Sequence, residues 1–432
     1  MLTYISQIWN SKDLRNKILF SIGILVLYRL IAHVLVPGVD ISGLKALSSR
    51  NELLQMFSML TGGSTENFSI VLMGISPYIN ASIIIQLLTV VVPKLESISK
   101  EGEDGRRKIN AYTRWLTLPL SFLQSYGMIV LLNSQAQTAI IPDIQNLAVI
   151  LPIMLTISAG TLLLVWLGEQ ISEKGIGNGI SLLIFASIIS AIPEMVGKGL
   201  FLAQEDQEKL IPFAITILLT IGLITIVILV TEAQRKIPLT YAGSGAKSKS
   251  QQAFLPIKIN QAGMIPIIFA VALISFPSII GQFLINAKSE WLRTFGEQMT
   301  VLFQPGSTAY LIMYFLFVVG FTFFYVSITF NPVQVAENIQ KRGGYIPGIR
   351  PGTQTSDYIA GISSKLTLFG AFFLGFIALI PILLQFVFAS TALGSVPLLI
   401  SGAGIIIIVG VVLELIRQVN AQLVMHDYNK FY

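Results

Sequence analysis

Residues 70–92 read Ile70-Val-Leu-Met-Gly-Ile-Ser-Pro-Tyr-Ile-Asn-Ala-Ser-Ile-Ile-Ile-Gln-Leu-Leu-Thr-Val-Val-Val92, an apolar stretch without one charged side chain. A spanning helix needs about 20 predominantly apolar residues, so this segment is long enough to cross a bilayer. On either side of it similar runs recur at 18–36, 114–132, 148–167, 177–196, 211–231, 262–284, 309–330, 366–388 and 397–416. The 432 residues are 53% hydrophobic and 12% charged, with a mean hydropathy of +0.75, whereas soluble domains carry about 25% charged residues. An ordinary soluble enzyme is excluded. The expected fold is an all-α polytopic membrane protein with ten transmembrane helices.

The first 17 residues are polar and mildly basic, and no small-residue cleavage site follows the run at 18–36. That run is therefore read as a retained span and not as a signal peptide. Orientation follows from lysine and arginine in the loops, because acidic residues contribute little to it. One side collects Lys12, Arg15, Lys17, Lys94, Lys100, Arg106, Arg107, Lys108, Arg114 and Lys174. The same side takes Arg235, Lys236, Lys247, Lys249, Lys258, Lys341, Arg342, Arg350, Lys365, Arg417 and Lys430. The other side has only Lys45, Arg50, Lys198, Lys209, Lys288 and Arg293. Both termini are expected in the cytoplasm, and the net charge of +6 is explained without nucleic acid.

Ten spans divide into two halves of five, residues 1–205 and 206–432, and an odd number per half makes the second run upside down relative to the first. Many transport proteins are built from such inverted repeats. A short internal echo points the same way. Gly74-Ile-Ser-Pro-Tyr-Ile79 and Gly263-Met-Ile-Pro-Ile-Ile268 share Gly-x-x-Pro-x-Ile in the second span of each half. Each proline is expected to bend its helix and free a backbone carbonyl.

Residues that carry chemistry are scarce. Cysteine is absent and the only histidines are His33 and His426, so thiolate and zinc chemistry have no ligands. Every aspartate falls outside the apolar runs. Ala242-Gly-Ser-Gly-Ala-Lys-Ser248 lacks the phosphate-loop spacing, and Gly175-Ile-Gly-Asn-Gly179 is not a dinucleotide fingerprint. Both are read as flexible connectors. No cofactor is implied. Inside the spans the ionisable candidates are Arg29, His33 and Glu414. Arg29 and His33 stand one helical turn apart on a shared face, which suits either ties to neighbouring helices or snorkelling more than a proton path.

Two cytoplasmic stretches, 232–261 and 331–365, are too long to be simple connectors. In the second, Pro347-Gly-Ile-Arg-Pro-Gly352 brackets Arg350 between two Pro-Gly steps, a turn that holds the guanidinium outward. Basic tips of this kind suit ribosomal RNA or an acidic protein surface. On the outer side the excursion 37–69 contains the apolar run Leu53–Leu60, too short to cross. It is either a movable stopper or a fixed amphipathic cap. These features leave a passive polypeptide channel and a secondary transporter of small solutes both open.

Four stretches resemble the SecY family of protein-translocation channels, in the family's order and over nearly the whole chain. They are Gly74–Leu88, Lys100-Glu-Gly-Glu-Asp-Gly-Arg-Arg-Lys-Ile109, Trp166-Leu-Gly-Glu-Gln170 with Gly175-Ile-Gly-Asn-Gly-Ile-Ser181, and Asn331-Pro332 with Pro347–Gly352. The resemblance implies a bacterial, or plastid, membrane channel shaped like an hourglass. It would pass unfolded chains across the membrane and release hydrophobic segments sideways into lipid, driven by external partners. Carried onto matching positions, an aliphatic pore ring would comprise Ile75, Ile79, Ile184, Ile268 and Ile407. A plug would lie at 56–69, with Met56, Phe57, Leu60, Gly62, Gly63 and Phe68. Gln86 and Asn260 would face a lateral gate. Arg350, with Arg235, Lys236, Lys247 and Lys249 of the 232–261 stretch and Arg106 and Arg107, would meet the SecA motor ATPase or the ribosome. SecE and SecG are the implied small membrane subunits, secretory and membrane proteins the clients, and the lipid bilayer the surroundings.

Overall fold

The computed structural model describes residues 8–9, 11–37, 39, 68–135, 140–141, 146–205, 210–241, 253–285, 289–304, 306–388 and 401–429. In chain order the helices are α1 (Lys12–Ile31), α2 (Ser76–Val91), α3 (Pro93–Ser99), α4 (Glu103–Gln135), α5 (Leu147–Lys174), α6 (Gly179–Glu205) and α7 (Leu210–Glu232). Strands β1 (Gln234–Tyr241) and β2 (Ala253–Lys258) follow, then α8 (Ile265–Ile285), α9 (Glu290–Leu302), α10 (Thr308–Thr329) and α11 (Pro332–Lys341). Strand β3 (Gly344–Tyr345), α12 (Thr353–Phe388) and α13 (Gly402–Asn429) complete the order. Among the described residues seven helices are long and apolar enough to cross a membrane, and α2 with α3 makes an eighth pair bent by 106°. α1 and α8 occupy the remaining two expected segments, so all ten expected spans have a helical counterpart.

The chain divides into two compact units. The first contains residues 1–205, 272–310 and 411–432, the second 206–271 and 311–410. In the first unit, α2 packs on α4, α4 on α5, and α5 on both α1 and α6. Its main core joins Phe68, Leu72 and Met73 to Met128, Ile129 and Leu132 of α4 and Ile150, Ile153 and Ile157 of α5. Small residues let these helices approach closely, as membrane packing requires. A Cβ on Gly160 would stand 2.0 Å from the Ile70 carbonyl oxygen, and one on Gly179 would stand 1.9 Å from that of Gly168. The motifs 166–170 and 175–181 are thus the two sides of one tight helix contact.

The connector 175–179 is not flexible. Ile176 N–H donates to Ser21 Oγ at 3.0 Å, Gly177 N–H to Gln418 Oε1 at 2.7 Å, and Gly179 N–H to Ser172 Oγ at 2.8 Å. Three helices therefore clamp one turn, and Gly177 adopts a φ of +82° that a side chain would strain.

In the second unit β1 and β2 form an antiparallel hairpin in which Ile237 faces Leu255, and β3 adds to the other side of β1 through Thr240 and Tyr241. Ile237 and Leu239 alternate inward, the period of two that a strand with one buried face requires. With Ile257, Ile339, Ile346 and Ile359 they build a separate core. The described parts of the stretch 232–261 and the stretch 331–365 therefore build a folded platform. α12 starts at Thr353, well before the apolar run at 366, and its first turns cover that core. α11 begins at Pro332, with Asn331 Oδ1 accepting from the N–H groups of Val333 and Gln334, which explains the Asn-Pro pair as a cap followed by a first-turn proline.

Three further expectations change. Pro77 and Pro266 do not kink helices, because each is the second residue of one, where no N–H is needed. Conversely α6 continues through Pro193 and beyond the apolar run's end at 196, to Glu205. His33 lies in the turn after α1, where its Nδ1 donates to the Arg29 carbonyl at 2.8 Å, so it closes the helix end instead of lying within the helix.

Candidate functional site

The paired Gly-x-x-Pro-x-Ile segments adopt the same backbone. Gly74 has a φ of +53° and Gly263 of +67°, a region that an L side chain enters only with strain. Two residues after each glycine a helix begins, with proline in its first turn. Ile79 N–H bonds to the Ile75 carbonyl and Ile268 N–H to the Met264 carbonyl. The glycine reverses the chain and the proline is already set for the helix, so the isoleucine is delivered within the first turns.

Of the five ring candidates, Ile75, Ile79 and Ile184 belong to the first unit, Ile268 and Ile407 to the second. Ile75, Ile184 and Ile407 are buried, while Ile79 and Ile268 are half-exposed. Within the second unit α13 approaches the start of α8, for a Cβ on Gly410 would touch Met264 at 3.5 Å. Gly410 lies one turn beyond Ile407, so the start of the helix that carries Ile268 lies against α13 near Ile407.

The polar pair Gln86 and Asn260 makes local bonds. Gln86 Nε2 donates to Ser82 Oγ at 3.1 Å in its own helix. Asn260 is buried, its Oδ1 accepting from Gly263 N–H at 2.9 Å and its Nδ2 donating to the Gly263 carbonyl at 3.3 Å. Asn260 thus folds the turn that precedes Ile268, a role the sequence reading did not foresee, although an asparagine three residues before a glycine is a known turn signal. In the first unit Asn80, beside Ile79, is also buried, and its Oδ1 receives no hydrogen bond from the described residues.

The excursion expected to hold the plug leaves and returns at one point. Val36 N–H bonds to the Phe68 carbonyl and Ile70 N–H to that of Val34, with Leu35 opposite Ser69. Phe68 is 1% exposed, lies in the main core and has a φ of +44°. A buried aromatic at positive φ is a strained position. Met56, Phe57, Leu60, Gly62 and Gly63 lie outside the described residues, as do Lys247 and Lys249.

On the platform, Gly348 and Gly352 have φ of +82° and +101°, and Arg350 between them is exposed. Ile346 and Ile349 pack the turn onto the platform core, and Thr355 Oγ1 donates to the Arg350 carbonyl at 2.9 Å. Arg235 and Lys236 are exposed on β1, which shares its sheet with β3. Arg106 and Arg107 are exposed in the first turns of α4, and Arg114 of the same helix pairs with Glu169 at 3.0 Å. Among the described residues no group of His, Asp and Glu that could hold a metal is present.

A family model described as SecY matches residues 69–416. The protein translocase subunit SecY of Streptomyces coelicolor is 38% identical, with all of both chains covered. A solved structure of a protein conducting channel has a TM-score of 0.66 at 21% identity, covering 94% of this chain and 92% of that one. Sec61 in the canine ribosome-channel complex from the endoplasmic reticulum has a TM-score of 0.63 at 20% identity, with the same coverage.

Proposed function

Because the chain belongs to the SecY family, we propose how its own residues perform that family's task. The protein is a multi-pass membrane protein and the protein-conducting channel subunit of a translocase. The observation that carries the proposal is the repeated turn at Gly74 and Gly263, which starts a helix and delivers an isoleucine in each unit. Ile79 and Ile268, with Ile75, Ile184 and Ile407, form an apolar collar around the passing chain. Such a collar excludes water and ions when empty. It offers no hydrogen bonds, so it tolerates any sequence. The two halves, 1–205 and 206–432, both contribute to the collar.

The segment 56–69 closes the outer mouth when the channel is idle. Its anchor is the buried, strained Phe68, and the paired chain at 34–36 and 68–70 gives it a fixed root. Gln86 and Asn260 face the lateral gate, where exchange of their local bonds for a shared one would be worth only about 0.6–2 kcal/mol. A latch that weak lets a hydrophobic client segment part the helices. Arg350, Arg235 and Lys236 on the platform, with Lys247, Lys249, Arg106 and Arg107, receive the driving partner, either a SecA-type motor or the ribosome. SecE- and SecG-type subunits accompany the chain.

Both termini are cytoplasmic. Supporting this, Ser21 one turn after Lys17, the connector 175–179 after Lys174, and Gln418 beside Arg417 are joined by hydrogen bonds, so three chain segments assigned to that face by charge meet. The test uses cysteines introduced singly at Ile75, Ile79, Ile184, Ile268 and Ile407, since the native chain has none. A stalled secretory chain should crosslink to each and not to a lipid-facing control such as Leu218. Failure at both Ile79 and Ile268 removes the collar. An Arg350→Glu variant should insert normally yet lose translocation in reconstituted vesicles, and full activity there would remove Arg350 from the partner surface.

A further inference from the structure

Between α8 and α10 the chain makes a short helix, α9 (Glu290–Leu302), that is too short to span. Residues 286–289 connect it to α8 and 303–307 to α10, a reach of roughly 15–20 Å at most. α9 is therefore held at the depth where two membrane helices end.

Its surface has three parts. Gly296 docks on the end of α8: a Cβ there would stand 2.7 Å from the Gly281 carbonyl oxygen, and one on Gly281 would stand 2.9 Å from that of Gly296. Glu290, Arg293, Thr294 and Glu297 make an exposed polar face, interrupted by the exposed Val301, on which Arg293 and Glu297 pair at 3.0 Å. A third stripe carries Trp291, Phe295 and Leu302, which are 73%, 40% and 47% exposed. Their positions i, i+4 and i+11 bring them to one side of a helix. The Trp291 and Phe295 rings stack with centroids 6.0 Å apart, which presents them as one rigid apolar unit.

We propose that α9 is an interfacial anchor whose Trp291–Phe295–Leu302 stripe lies in the headgroup boundary of the bilayer. The occupant of this face is lipid, and the confinement of α9 to the membrane boundary is what selects it. Tryptophan and amphipathic helices partition to that depth. The polar face carries two glutamates and one arginine, so apolar burial and not attraction to anionic lipid drives the contact. Docked through Gly296 on Gly281, α9 fixes the end of α8 opposite to the one that bears Ile268. The inference rests on the membrane reading above but not on the collar.

The test is depth-dependent quenching in the full chain reconstituted into phosphatidylcholine vesicles. Trp9, Trp115 and Trp166 are replaced by Phe so that only Trp291 emits. Lipids brominated near the headgroup end of the acyl chain should cause a large loss of Trp291 fluorescence, and lipids brominated near the chain terminus a small one. Quenching by aqueous iodide without quenching by lipid overturns the proposal. Protection from both also overturns it, because protein then covers the stripe. A variant retaining only Trp166, which is exposed on spanning helix α5, must be quenched by lipid; its failure would indict the spanning assignment and not the anchor. A spin label on Phe295→Cys gives an independent reading. Oxygen should relax it more than a water-soluble nickel complex does, and the reverse order overturns the anchor.

Discussion

The turn at Gly74–Ile79 and the turn at Gly263–Ile268 have the same backbone but are held in different ways. Upstream of Gly74 the chain is fixed by burial. Val71 and Leu72 are fully buried, Ser69 Oγ accepts from Val71 N–H, and Gly160 of α5 presses against Ile70. Upstream of Gly263 the chain is packed too, with Ala262 buried and Gly370 of α12 against the Ile259 carbonyl, but a side chain adds to it, since Asn260 bonds to both the N–H and the carbonyl of the glycine. A Cβ at Gly263 would meet nothing within 4 Å. The first turn is thus set by its tertiary neighbours and is rooted beside the excursion 37–69. The second adds a local side-chain bracket to its packing and follows directly from the platform strand β2. One helix-starting device can serve two settings because its own requirements, a left-handed glycine and a first-turn proline, are purely local.

The sharpest way to break this comparison is to charge both turns. Ile79→Lys and Ile268→Lys should each raise ion conductance across planar bilayers, since a charge wets an apolar constriction. A leak from only one of them would mean that the two turns do different work. Next in size, Gly74→Val and Gly263→Val should each destabilise the purified protein, by about 1–2 kcal/mol from backbone strain alone. Thermal unfolding in detergent should show the larger loss for Gly74, which is itself buried, whereas Gly263 is partly exposed and a Cβ there would meet nothing within 4 Å.

Asn260→Ala should then cost about 1 kcal/mol through the lost turn bonds, read by the same melting assay. No change would show that the second turn needs no bracket. Smallest is Asn80→Leu, which removes a buried oxygen without a partner among the described residues. A buried unpaired polar group is a net cost, so the variant should melt at the same or a slightly higher temperature. A clear loss would show that Asn80 has a partner in the assembled translocase.

Much of this was legible along the chain. Apolar runs of spanning length located all ten helical segments, because lipid demands an uninterrupted apolar stretch with its backbone bonds satisfied internally. The echo at Gly74 and Gly263 was equally readable, although the prolines were assigned to the wrong job. A proline at a helix start and one in its middle look alike until the preceding glycine's φ is known. The hairpin was missed although Ile237, Leu239 and Tyr241 alternate, because Pro238 argues against a strand. It is tolerated there because β3 pairs only Thr240 and Tyr241, beyond the proline. Helix α9 was missed because hydropathy over a spanning window dilutes a thirteen-residue amphipathic helix.

By itself the sequence determined that this chain lives in a membrane, where its spans lie and which residues are free to carry charge, since each of these follows from the cost of placing polar groups in hydrocarbon. Tertiary structure alone decided that 175–179 is a clamped turn, that 353–365 is helix and not loop, and that Asn260 brackets Gly263. Those outcomes depend on partners far apart in the chain or on φ angles, and no local count of apolar residues contains either.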